Sequence, residues 1–403
     1  MIHSSALFSL VILFLFLSRL HGAALSAAHV GINYALELQK NRLDTNVAAA
    51  LLQKSFPKLT KAKLFGSDSY DQQKKDVQAL LNNGISDIMV AIGQKEIYFD
   101  NATIESKVTP SYMETYIQDF LKPFLDQGAK LTIAIGNEPF ASWVKTPPKL
   151  LLDTYKIVRQ ALIDNGLKDK VKCTIPFHMG IMANDDQDSR PPYAYFQPQF
   201  ADALREISLQ LHADGDFFTM NMYTWFAYFD STDGTVKDNL LTIALGNTTD
   251  PDAFMLKGMY SATQTALQKL DPALSALELA IGETGWPTSL TLNANGGTVP
   301  AASPEIAQFY MENAIALGVP IYIFEAFDEQ MKSVDDGAGN QISDVENHWG
   351  TFYENGTLKY DIPSLMGDQP EEPPTSAAVG IFPSKSTSFA VALLGAVIGS
   401  LLI

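Results

Sequence analysis

Between residues 29 and 328, short apolar runs alternate with longer stretches of helical spacing. The runs cover 29–34, 62–66, 86–93, 130–137, 171–177, 216–223, 277–283 and 320–327. Most are rich in Ile, Val, Leu and Phe with no polar alternate, as strands covered on both faces should be. The run ending Thr219-Met220-Asn221-Met222-Tyr223 is more mixed. Between the runs, Ser111-x-x-Glu114 reads as a capping box. Tyr116, Ile117, Phe120, Leu121 and Phe124 then fall on one helical face. Ser303 followed by Pro304 opens another helix, with Ile306, Phe309, Tyr310 and Leu317 on its inner face and Gly318 at its end. Strand and helix alternating in this way over roughly 300 residues predict a (β/α)8 TIM barrel. A doubly wound nucleotide-binding sheet is the rival, but no Gly-rich loop follows the first run.

The two ends follow other patterns. Residues 1–26 read as a secretory signal peptide, with an apolar core from Leu7 to Leu17 and small residues after it. The barrel is then expected over 27–365. Residues 366–388 are rich in Pro, Glu, Ser and Thr, which marks a linker unable to build a core. Residues 389–403 form an uncharged apolar tail. A small triplet beginning at Ser376, a polar spacer and that tail make a glycosylphosphatidylinositol (GPI) attachment signal, with Ser376 the expected anchor residue.

Charge and composition narrow the function classes. The net charge of −17 argues against nucleic-acid binding, which needs clustered Lys and Arg. Hydrophobic residues make up 46% of the chain, enough for a large core without disulfides. The one cysteine, Cys173, lies within an apolar run and reads as a buried thiol. The histidines show no metal-ligand spacing, and His178 and His212 are expected to be structural. No metal and no cofactor are indicated. Asn101, Asn247 and Asn355 each begin an N-x-Ser/Thr sequon, open to glycosylation in a secreted chain.

Two strand runs end in a carboxylate: Ile135-Gly136-Asn137-Glu138-Pro139 and Ile281-Gly282-Glu283-Thr284-Gly285-Trp286-Pro287. In a barrel of this kind the carboxyl ends of the strands share one mouth. Two acids facing each other there suit glycosidic bond cleavage, one as proton donor and one as nucleophile or base. Other segments add to the pattern: Gly31-Ile32-Asn33-Tyr34, Asn221 through Tyr228, Phe327-Asp328-Glu329-Gln330-Met331-Lys332, and Glu346 through Phe352. In this order the segments resemble glycoside hydrolase family 17, the β-1,3-glucanase family, over roughly residues 29–362.

The resemblance implies a retaining mechanism, with Glu138 as acid/base and Glu283 as nucleophile. It also implies that Asn137 contacts the sugar 2-hydroxyl and that Tyr34 and Tyr223 hold the nucleophile. Glu329, Lys332 and Glu346 are expected at the cleft, and Trp225, Phe226, Tyr228 and Trp286 offer faces for stacking sugar rings. The chain departs from the family at Lys63-Leu64-Phe65-Gly66, where R-L-Y-D is usual, and at Thr224-Trp225, where Pro-Tyr is usual. Residues 333–345 form a longer Asp/Gly-rich loop. The expected function is β-1,3-glucan hydrolysis by a monomer at the cell surface or wall, touching membrane only through its lipid anchor. The alternatives are transglycosylation with the same residues and a catalytically inactive glucan-binding wall protein.

Overall fold

The computed structural model describes residues 27–367 apart from 67–69, 98–105, 142–143, 145, 184–193, 230–236, 293–296, 300, 333 and 336–340. The signal peptide, the anchor tail, nearly all of the linker, Asn101 and Ser376 therefore lie outside the described residues. Asn247 and Asn355 are both exposed.

The apolar runs form the staves of a barrel. They are β1 (Val30–Tyr34), β2 (Lys61–Leu64), β3 (Asp87–Ile92), β4 (Lys130–Ile135), β5 in two pieces (Val171–Thr174 and Pro176–His178), β6 (Phe218–Asn221), β7 (Leu279–Thr284) and β8 (Ile321–Ile323). Among the described residues they make one nine-stranded sheet, counting both pieces of β5, and its pairings are parallel. The first piece of β5 pairs with β4 and the second with β6, so a break at Ile175 lets one stave serve both neighbours. Thr174 strengthens the closure, its hydroxyl donating to Phe217 O at 2.8 Å and lying 2.6 Å from the Thr219 hydroxyl.

The main helices are α1 (Thr45–Ser55), α2 (Tyr70–Asn82), α3 (Pro110–Tyr116, then a π-helical turn Ile117–Leu121, then Lys122–Asp126), α4 (Pro148–Asp164), α5 (Pro198–Asp214), α6 (Met255–Leu270) and α7 (Pro304–Ile315), with further helices at Gln94–Ile97, Thr224–Phe229 and Lys237–Leu245. Alternate strand residues such as Val30, Ile32, Ile88, Val90, Leu131 and Ile133 pack outward against these helices and are buried in the main core. Burying a side chain of this size stabilises by about 1.5–3 kcal/mol. Their neighbours Met89, Ala91, Ala134 and Tyr322 point inward and form a second, smaller cluster. Gly31 makes room for it, because a Cβ there would lie 2.5 Å from the Tyr322 ring.

Ser303 caps α7 as expected, accepting from Ile306 N at 3.3 Å with Pro304 in the first turn. The start of α3 differs from the expected capping box. Thr109 is the cap, accepting from Tyr112 N at 3.2 Å, and Pro110 opens the helix. Glu114 instead accepts from Gln118 and from Asn165 on the turn after α4. The segment read as a plain loop after Lys332 also differs. Val334–Asp335 and Gln341–Ser343 pair with each other, and Gln341–Ser343 pairs with Thr291–Leu292 from the loop after β7. With Gly297–Thr298 they make a four-stranded antiparallel sheet.

Candidate active site

Glu138 leaves the end of β4 on a turn. Gly136 has φ 70° and Glu138 itself φ 51°, the left-handed region that a side chain rarely adopts. Such a residue costs about 1–3 kcal/mol and persists where its surroundings dictate it. Here the Glu138 amide donates to Pro176 O on β5 at 2.8 Å, and the Ala141 amide closes the turn on Glu138 O at 2.9 Å. The side chain is half-buried. Asn221, the last residue of β6, donates from Nδ2 to Glu138 Oε1 at 3.0 Å. Burial, and then the charge of Glu283, push the Glu138 carboxyl up to about 7, against the pull of Asn221 and Lys63. At that value it holds a proton in mildly acid solution and releases it near neutrality, as an acid that later acts as a base must do.

Glu283 reaches the same mouth by a different device. In β7, Leu279 and Ile281 face the helices, and strict alternation would send residue 283 the same way. The register slips here: Met220 pairs with Ile281 but Asn221 with Glu283, and on the other side Ile321 pairs with Ile281 but Ile323 with Thr284. This extra residue turns Glu283 inward, as bulges beside active sites do, and Thr284 outward to bond the Tyr310 hydroxyl at 2.6 Å. Each oxygen of Glu283 has its own donor. Lys63 Nζ lies 2.7 Å from Oε1, and the Tyr223 hydroxyl donates to Oε2 at 2.8 Å. Burial and the adjacent carboxylate push the Tyr223 phenol well up, so it stays a donor. Two carboxyls are thus held in opposite states, one protonatable and one paired with a cation.

Around them sit further polar groups. The Oδ1 of Asn137 is buried with no partner among the described residues. Lys332 Nζ lies 2.6 Å from Glu329 Oε2 and 2.9 and 3.0 Å from the two oxygens of Glu325. Glu325 follows β8, is fully buried and has its carboxyl pushed well up by burial. Glu346 is partly buried, with a carboxyl raised by burial and by Glu283 and lowered by Lys332, so it borders both. His178, at the tip of β5, is lowered by burial and raised by Glu283. It therefore borders the site, where the sequence suggested only an isolated structural histidine. Among the described residues no group of His, Cys, Asp and Glu side chains is arranged to hold a metal ion.

Four of the residues expected at the site lie elsewhere. Tyr34 was expected to hold the nucleophile. It shares parity with Val30 and Ile32, so it faces the helices, and its hydroxyl donates to Thr45 O of α1 at 3.2 Å. Its neighbour Asn33 points inward and ties β1 to β7 and β8 through Gly282 O, Tyr322 O and Ile323 O. Trp225, Tyr228 and Trp286 were expected as sugar platforms, yet all three are buried. The reason is that Thr224–Phe229 is a short helix, which puts residues 225, 228 and 229 on one face and 226 on the other. Trp225 and Tyr228 pack with Trp286 at ring separations of 5.0 and 5.9 Å, and Trp286 Nε1 donates to Ala301 O at 2.7 Å. Phe226 stays exposed, with its ring 5.6 Å from Tyr223 and 5.8 Å from Trp349.

The sequence profile of glycosyl hydrolases family 17 matches residues 44–364. The chain belongs to that family. It is therefore a glycoside hydrolase. "Glucan endo-1,3-beta-glucosidase 14" of Arabidopsis thaliana is 28% identical over 399 residues, covering 94% of this chain and 92% of that protein. "Glucan endo-1,3-beta-D-glucosidase" of Olea europaea is 25% identical, covering 92% of this chain and 78% of that protein. The same barrel is found in a β-1,3-glucanase and allergen of Cryptomeria japonica pollen, at 23% identity and a TM-score of 0.65, over 83% of this chain and 98% of that one.

Within this family 17 chain, sequence reasoning missed Lys63, Asn221, Glu325 and the nearness of His178. Lys63 had a signal: a lysine in an otherwise apolar strand run, at the position of the family's arginine. Asn221 stands at the head of the segment 221–228, where the aromatic residues give the stronger signal. Glu325 gave a weaker signal, as an acid within the run 320–327.

Proposed function

We propose that this family 17 enzyme is a β-1,3-glucan hydrolase that works by double displacement with retention. The observation that carries the reading is the unequal treatment of two facing carboxyls. Glu283, bonded by Lys63 and Tyr223, is the nucleophile that attacks the anomeric carbon. Glu138, raised to about 7, protonates the leaving oxygen and then takes a proton from the incoming water. The names of the relatives support a β-1,3-glucan as substrate. Exposed Phe226, beside Tyr223, is the surface on which a sugar ring would stack. The N-terminal apolar segment and C-terminal tail support a secreted, lipid-anchored enzyme acting on wall glucan.

The test is to incubate the protein with linear β-1,3-gluco-oligosaccharides and follow both chain length and anomeric configuration. Shorter products first released as the β-anomer are expected. Glu283→Gln and Glu138→Gln should each abolish turnover without unfolding the protein. Full activity in either folded variant would refute the assignment. Products longer than the substrate would make the enzyme a transglycosylase.

A further inference from the structure

We propose that Asn221 is a positioning residue that gives the two oxygens of Glu138 separate duties, and that Gly282 lacks a side chain so that it can. The inference rests on the reading of Glu138 as acid/base. Asn221 is buried, and it spends its amide on Glu138 alone among the described residues: Nδ2 donates to Oε1 at 3.0 Å, while Oδ1 has no partner. That unpaired oxygen rests against the backbone of β7. A Cβ on Gly282 would lie 2.7 Å from Asn221 Oδ1 and 2.4 Å from Thr219 Cγ2, so any larger residue there would drive the amide away. Asn221 is also held from below, because its backbone pairs with both His178 and Glu283. The amide is therefore fixed in place and aimed at one oxygen of one carboxyl.

An oxygen that already accepts an N–H bond is the poorer site for a proton, so Oε1 stays bare and Oε2 carries the hydrogen. In the first step Glu283 forms a bond to the anomeric carbon, the bond to the leaving oxygen breaks, and the Oε2 proton passes to that oxygen. In the second step water attacks the same carbon, its proton goes to Oε2, and the Glu283 ester bond breaks. Asn221 holds the ionised intermediate state of Glu138 throughout. The same bond favours the ionised form and so opposes the lift that burial and Glu283 impose.

The test compares two substrates of different leaving group, a β-1,3-gluco-oligosaccharide and a dinitrophenyl β-glycoside of the same sugar. Asn221→Ala, Asn221→Asp and Glu138→Ala are measured beside the unaltered protein. Losses are compared in kcat/KM, which reports the first step, and there Glu138→Ala should lose far more on the oligosaccharide than on the activated glycoside, whose leaving group needs no proton. Asn221→Ala should show the same inequality in milder form, roughly ten- to a hundred-fold on the oligosaccharide and a few-fold at most on the glycoside. The alkaline limb of its kcat/KM profile should move to higher pH. Asn221→Asp keeps the size and shape and should move that limb further, because a second carboxyl would face Glu138. Equal losses on both substrates with an unmoved limb in both Asn221 variants would reduce Asn221 to a structural residue and overturn the proposal. Equal losses in Glu138→Ala would instead overturn the acid/base reading on which it rests.

Discussion

Lys63 and Glu283 meet 2.7 Å apart with side chains 1% and 6% exposed. A buried ion pair adds little net stability when intact, because desolvation offsets attraction, but losing one partner strands the other. Lys63→Met should therefore destabilise the protein by about 3–5 kcal/mol in urea unfolding. The double variant Lys63→Met, Glu283→Gln should recover most of that loss, because no charge is left behind. Additive losses in the two variants would show that Lys63 matters for packing rather than charge. None of this pairing was legible from the residue itself. Lys63 and Glu283 lie 220 positions apart, and only the strand register brings them together. The two acids were legible, because a carboxylate at the tip of an apolar run is costly without a purpose.

Elements were predicted best where the pattern was longest. Each expected strand run is found in the structure, most with both ends within about two residues, the usual uncertainty of element ends. The largest difference is β8, which stops at Ile323 although apolar residues continue. Periodicity failed where an element changes period. The slip in β7 aims Glu283, and the short helix at 224–229 hides Trp225 while exposing Phe226. Helix α7 carries an unassigned feature. Glu312 is pushed up to about 7 by burial, and its Oε1 has no partner among the described residues. The neutral carboxyl is the form the fold favours. Its contribution is full below the ordinary value of 4.5 and is lost as pH rises through about 7. Glu312→Gln should thus raise Tm at pH 8, and the gain should shrink towards zero at pH 4. A gain independent of pH would mean that its cause is not ionisation.

At the scale of the whole molecule, closure is what makes the site. With β5 divided between two partners, β4 and β7 open into one mouth, and residues from β2, β4, β6 and β7 converge there. If the C-terminal tail is replaced by a lipid, the protein should partition into the detergent phase when expressed in a walled eukaryotic host. Phosphatidylinositol-specific phospholipase C should then release it into the aqueous phase with its activity intact. Ser376→Leu should block the attachment by placing a large residue where a small one is needed. Release without the phospholipase would argue against the anchor.

What the sequence determined by itself was the local and the periodic: eight buried strands, the helices between them, a barrel, and two acids at strand tips. These follow from burial patterns that each segment carries alone. The tertiary structure decided which way each tip residue points, and so which polar groups share the mouth. It turned Glu283 inward by one slipped residue, sent Tyr34 to the helices by parity, and set Lys63 on Glu283 and Asn221 on Glu138. Those outcomes depend on register between strands far apart in the chain, and a shift of one residue reverses the face of every side chain.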